Sequence, residues 1–127
     1  MSAAQTNSTV SANVLYVALE LGLDDWKLAM SVGLGQKPCF KNVAGGDTHE
    51  LLKQIEWAKR RFRLPQDAAV KTCYEAGRDG FWLHRFLTSR GIENAVVDSS
   101  SIEVNRRRRR AKSDRLDAAK LLLMLMR

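Results

Sequence analysis

Between positions 14 and 19 the chain reads Val14-Leu15-Tyr16-Val17-Ala18-Leu19, six apolar residues without a polar break. A strand with one wet face alternates apolar and polar side chains. An unbroken run of this length is the pattern of a strand covered on both faces. It needs packing layers above and below, which points to a sheet with helices on its faces. The run ends on Glu20, an acid at the end of a core strand.

The segments that follow change period. Gly22 and Asp24-Asp25 supply turn chemistry, and Trp26 to Val32 alternates imperfectly, as a half-buried strand does. A short turn between two strands predicts a hairpin. A third strand is expected around Pro38 to Val43, with Pro38 favouring an edge position. After Gly45-Gly46, either Asp47 or Thr48 can cap a helix whose apolar positions Leu51, Leu52, Ile55, Ala58 and Phe62 recur at helical spacing. Lys53, Lys59, Arg60, Arg61 and Arg63 are expected on its opposite face, and Leu64-Pro65 stops it.

Ala68 to Tyr74 reads as a second buried strand, ending on Glu75. Phe81, Leu83, His84 and Leu87 fall on a second helix that Gly91 terminates, and Asn94 to Asp98 forms a third core strand. Ser99 to Lys112 is polar and basic, hence a loop. Ser113 is the expected N-cap of a last helix running from Asp114 to Arg127. The order predicts an α/β fold: a mixed five-stranded sheet with three antiparallel strands first, then strands reached through helical crossovers. At 127 residues this is one domain, 14–127, preceded by a polar Ser/Thr/Asn-rich arm over 1–13. The chain ends inside an apolar helix.

Four acids share a placement. Glu20 and Glu75 end core strands, while Asp114 and Asp117 lie three apart at the start of the last helix and so face one way. Acids gathered from separate elements repel one another, and a hard divalent cation relieves that repulsion. Two such ions can activate a nucleophile and stabilise a leaving oxygen in phosphodiester chemistry. Spacing alone leaves a second reading open, in which each acid marks where its strand meets water and Asp114 favours the helix dipole.

The net charge is +7, and its distribution is uneven. Residues 100–127 hold nine basic and three acidic residues, so +6 of the charge sits there. Most of it is the run Arg106, Arg107, Arg108, Arg109, Arg110 and Lys112, immediately before the Asp pair. Five successive arginines need external counterions, and a nucleic acid backbone supplies them; a solvated loop is the plainer alternative.

The remaining chemistry-bearing residues are isolated. Cys39 and Cys73 form no C-x-x-C and build neither a disulfide framework nor a zinc site with His49 and His84; they fit a reducing, cytoplasmic compartment. Trp26, Trp57 and Trp82 are expected in the core. Gly77 and Gly80 lack the Lys-Ser/Thr of a phosphate loop, and Leu121 to Met126 is too short to span a bilayer. Leu121, Leu122, Leu123, Leu125 and Met126 exceed what one helix face needs and could pair with a second copy.

Cys73-Tyr74-Glu75-Ala76-Gly77, then Gly80-Phe81-Trp82-Leu83, and Lys112-Ser113-Asp114-Arg115-Leu116-Asp117-Ala118 resemble motifs of the DEDD transposases of the insertion sequence 110 group; Tyr16 to Glu20 resembles that family's opening strand. The resemblance covers the chain from about Val14, and only the family's N-terminal domain. It implies an RNase H-like (RuvC-like) sheet and a catalytic and metal-binding set of Glu20, Glu75, Asp114 and Asp117. That set would hold Mg²⁺ or Mn²⁺, two ions with substrate bound, for DNA cleavage and strand transfer. The family's first acid is usually Asp; here it is Glu20, with Asp24 and Asp25 following in the turn. Full-length members carry a C-terminal domain with a DNA-attacking serine, use a structured guide RNA and self-associate. Nothing in this chain corresponds to that C-terminal domain, so the expectation is a fragment or a truncated reading frame, inactive in transposition by itself. The alternative is a non-catalytic module that binds DNA or guide RNA through the arginine run.

Overall fold

The computed structural model describes residues 13–77, 80–98 and 116–127. Its elements are β1 (Val14–Leu21), β2 (Asp25–Ser31), β3 (Cys39–Ala44), α1 (Thr48–Arg61), β4 (Ala69–Glu75), α2 (Trp82–Ser89), β5 (Glu93–Val97) and α3 (Ala118–Met126). The five strands form one mixed sheet in the order β3-β2-β1-β4-β5. β1, β2 and β3 are antiparallel neighbours, β4 pairs with β1 in parallel and β5 with β4 in parallel, as the strand and helix order predicts.

The β1–β2 hairpin turns at Gly22, whose N–H donates to the Asp25 carbonyl at 3.0 Å. A Cβ at Gly22 would lie 2.7 Å from that carbonyl oxygen, so the turn requires glycine. β1 runs two residues past the apolar run, to Leu21, so Glu20 stands one residue before the strand's end.

The sheet has one thick face and one thin face. On the thick face, Leu15, Val17, Leu19, Trp26, Leu28, Met30 and Tyr74 pack against Leu51, Ile55, Leu83 and Leu87 of α1 and α2. On the thin face, Ala18, Ala29 and Cys73 meet Ala118, Leu121 and Leu122 of α3. Ala18 pairs with Ala29 on one side and with Cys73 on the other, so these small residues form one row across three strands. Without bulk in that row, α3 lies close to the sheet, and the Cys73 thiol donates to the Leu121 carbonyl at 3.6 Å. Fully burying Leu121 and Leu122 stabilises the arrangement by roughly 1.5–3 kcal/mol each.

Several expectations are corrected. β2 is not half-buried: Leu28 to Ser31 is buried without interruption, because α3 covers the face that the alternation assigns to water. Asp47, not Thr48, caps α1, its Oδ1 accepting from the Glu50 N–H at 2.9 Å. Lys59 is not on the solvent face. It is buried, and its ammonium donates to the Gln66 carbonyl at 2.8 Å and to Glu56 at 3.3 Å, the long stem letting the charge reach the loop. Of the three tryptophans, Trp26 is fully buried, Trp57 is partly so, and Trp82 is 37% exposed while resting on Trp26 with ring centroids 6.0 Å apart.

The last helix starts at Ala118, not near Ser113. Leu116 and Asp117 are not helical, and Asp117 is itself the N-cap, its Oδ1 accepting from the Lys120 N–H at 2.9 Å. Of its expected apolar surface, Leu121 and Leu122 are buried, Leu125 and Met126 half-buried, and Leu123 46% exposed. The 1–13 arm falls outside the described residues save for Asn13, and Ser113 falls outside them entirely.

Burial pushes the Cys73 thiol up to about 12, because desolvation penalises the thiolate. The unfolded thiol ionises first, so this group's stabilising contribution is present below pH 9 and is lost as pH rises from there toward 12. In a native thiol titration with a chromogenic disulfide, Cys39 is expected to react and Cys73 to stay silent until denaturant is added. Cys73→Ala should flatten the alkaline fall in stability, a slope of at most ~1.4 kcal/mol per pH unit.

Candidate functional site

Glu20 and Glu75 come together through strand register. β1 and β4 run parallel with Leu19 opposite Tyr74, and the two glutamates occupy the next position on each strand. They share the thin face with Ala18 and Cys73, two residues back on each strand. The β1–β2 register continues the row by placing Lys27 opposite Glu20, and the β2–β3 register places Asn42 opposite Lys27. One polar row, Asn42–Lys27–Glu20–Glu75, therefore crosses four strands beside the small-residue row that seats α3.

The start of α3 reaches down to this row. The Leu116 N–H donates to Glu75 Oε1 at 3.0 Å, and the Ala118 N–H donates to Glu20 Oε1 at 3.1 Å. Together with the Asp117 cap, three carboxylates surround the first turn of one helix. The Ala118 N–H is one of the helix's first donors, which have no partner within the helix, and the positive end of the helix dipole favours anions there. Each acid thus has one oxygen fixed by the backbone. Among the described residues none of the three is in an ion pair; the two ion pairs found, Lys53–Glu50 and Lys59–Glu56, both lie within α1. Even Lys27, directly across from Glu20, is not close enough to pair with it.

Beside the acids an open pocket of about 540 Å³ lies between β2–β3 and the start of α3. Glu20, Lys27, Phe40, Asn42, Asp117 and Ala118 line it. The structure therefore brings Glu20, Glu75 and Asp117 to one end of the sheet. Asp24 and Asp25 stay at the hairpin, where Asp25 opens β2 and the Asp24 carbonyl accepts from Gly45, so Glu20 is the strand's acid at α3. Asp114, Arg106 to Arg110 and Lys112 lie outside the described residues.

Carboxylate oxygens suit a hard divalent cation, and the second oxygen of each acid, which takes no hydrogen bond among the described residues, is the donor type Mg²⁺ or Mn²⁺ takes. Among the described residues no three Asp, Glu, His or Cys side chains are gathered tightly enough to hold a metal by themselves. Sequence reasoning misses Lys27, Phe40 and Asn42. Their only signal is the one-residue alternation through Trp26 and Lys27, which becomes informative once the hairpin register is known.

His49 is exposed at the start of α1. His84 is structural: its Nδ1 is 2.9 Å from the Asn94 amide nitrogen, and Asn94 Oδ1 accepts from Thr72 Oγ1 at 2.7 Å. No helix among the described residues is long and apolar enough to cross a membrane.

No protein-family model matches the chain. Over 126 residues it is 38% identical to a Sinorhizobium fredii protein named "Putative transposase y4rJ". That alignment takes in 97% of this chain and 32% of the relative, so the chain spans about a third of the length of the protein it matches.

If Glu75 anchors α3, Glu75→Ala should strand the Leu116 N–H and cost about 1–3 kcal/mol in urea unfolding. Glu75→Gln keeps an acceptor and should cost less than half as much. Amide exchange at Leu116 should accelerate in the first variant and not in the second.

Proposed function

We propose that this chain is the N-terminal, acid-bearing part of a DNA transposase with an RNase H-like (RuvC-like) fold, of the DEDD insertion sequence 110 type. The observation that carries the reading is the convergence of Glu20, Glu75 and Asp117, from two adjacent parallel strands and a helix start, at one end of the sheet. The strand order, with three antiparallel strands and two parallel ones, supports it, as does the identity to a relative named as a transposase.

In this reading Glu20, Glu75, Asp114 and Asp117 hold Mg²⁺ or Mn²⁺, which when bound activates the attacking oxygen and stabilises the leaving oxygen of a phosphodiester. The chain's own groups prepare that site. The Leu116 and Ala118 N–H groups fix one oxygen of each glutamate and leave the other available. Glu20 is one methylene longer than the aspartate usual at this place, and its bond to Ala118 takes up that extra reach. Arg106 to Arg110 and Lys112 grip the nucleic acid backbone, with energy from counterion release. Strand transfer itself, a guide RNA and self-association belong to the whole protein, of which this chain matches about a third.

Calorimetric titration with Mn²⁺ tests the reading. Wild type should bind, and Glu75→Gln/Asp117→Asn should lose the isotherm. Both substitutions keep the local hydrogen bonds, since Gln still accepts from Leu116 and Asn is an equally good N-cap. Equal affinity in both proteins overturns the metal site. Salt-steep DNA or RNA binding by a protein that takes no metal would favour the non-catalytic module instead.

A further inference from the structure

The pocket beside the acids contains more than acids. Phe40 is 51% exposed although it sits on a strand of the sheet. It pairs with Ala29 in register, so it ends the small-residue row Cys73–Ala18–Ala29, just beyond the ground that α3 covers. Its ring forms part of the pocket wall, next to Lys27 and Asn42. An exposed phenylalanine in the recess between an edge strand and a helix start has one face with no aromatic partner; the described ring pairs involve Phe81 and Trp26, not Phe40.

The neighbours define what could cover it. Lys27 is exposed and lies in the row between Glu20 and Asn42, with no ion pair among the described residues. Lys41 belongs to the same wall, but its ammonium lies over the Trp57 ring, 4.2 Å from the centroid, and is taken. The Asn42 side chain offers both a donor and an acceptor. An aromatic platform, an unpaired ammonium and an amide together match the three parts of a nucleotide: a base to stack, a phosphate to neutralise and a polar edge to hydrogen-bond. An acidic peptide fits less well, because its carboxylate side chains bring no flat ring to stack on Phe40.

We propose that this groove holds one unpaired nucleotide of a nucleic acid strand, its base stacked on Phe40 and its phosphate on Lys27, beside the carboxylates. The base must be unpaired, because within a duplex both of its faces are already covered by neighbouring pairs. The inference rests on the nuclease reading for its purpose, since it would deliver a single strand to the acids. Its contacts use none of those acids.

Fluorescence anisotropy with a labelled single-stranded oligonucleotide, and with a blunt duplex of the same sequence, tests it in Ca²⁺. DNA and RNA versions of the single strand separate the two sources of the same chemistry. Phe40→Ala and Phe40→Leu should each weaken single-strand binding about tenfold, and Phe40→Trp should restore it. Duplex binding should change little. Lys27→Ala should lower the salt slope for the single strand by about 0.7. Single-strand affinity unchanged in both Phe40→Ala and Phe40→Leu, or equal losses for duplex and single strand, overturns the proposal, as does a wild type that binds no single strand. Glu75→Gln/Asp117→Asn separates the two readings. If the Phe40 dependence survives in that variant while metal binding never existed, the groove stands and the metal site falls.

Discussion

Two hydrogen bonds connect the halves of this molecule that sequence distance keeps apart. The Leu116 N–H bonds Glu75 and the Ala118 N–H bonds Glu20, across 41 and 98 residues of chain. They tie the start of α3 to the ends of the two central parallel strands. A carboxylate accepting from a backbone N–H is a charge-assisted bond, stronger than its neutral counterpart. It also answers two problems at once. The helix start has N–H groups that need acceptors, and the strand ends have charges that need donors. Everything proposed for the site depends on these bonds, because they hold the acids of three elements in one place.

The sheet beneath makes that approach feasible. Its thick face uses large side chains and two helices, and its thin face uses the Ala18, Ala29 and Cys73 row under a single helix. A large residue anywhere in the row would lift α3 and carry its first N–H groups away from Glu20 and Glu75. Phe40, the one large side chain in register with the row, lies at its outer end, where it becomes pocket wall instead of obstruction. The same arrangement that seats the helix leaves the recess beside it open.

The unbroken run from Val14 to Leu19 makes the doubly covered sheet legible, and the order of strand-like and helix-like segments carries the topology. Helix α1 is readable from its period and its capping residues. What stays hidden is anything decided by a distant partner. Alternation along Trp26 to Val32 is no guide to burial when a helix from the far end of the chain covers the wet face, so the second half of β2 reads wrongly from sequence. Charge places Lys59 outside, whereas a loop carbonyl at Gln66 draws its ammonium inward. The capping chemistry of Ser113 sets the start of α3 too early; Asp117 has equally good chemistry, and Glu75 holds the backbone N–H of the residue before it. Glu20 and Glu75 are visible as acids ending strands, but Lys27, Phe40 and Asn42 need the strand register to be recognised as their neighbours.

In the proposed site one cation would be shared by Glu20, Glu75 and Asp117 together with Asp114. Anomalous diffraction from crystals soaked in Mn²⁺ tests this most directly. The expected result is a peak at the start of α3, about 2.0–2.3 Å from carboxylate oxygens of at least two of these residues, with Asp114 beside it. Crystals in which Leu116 and Ala118 still bond Glu75 and Glu20, yet millimolar Mn²⁺ leaves no peak there, would contradict it.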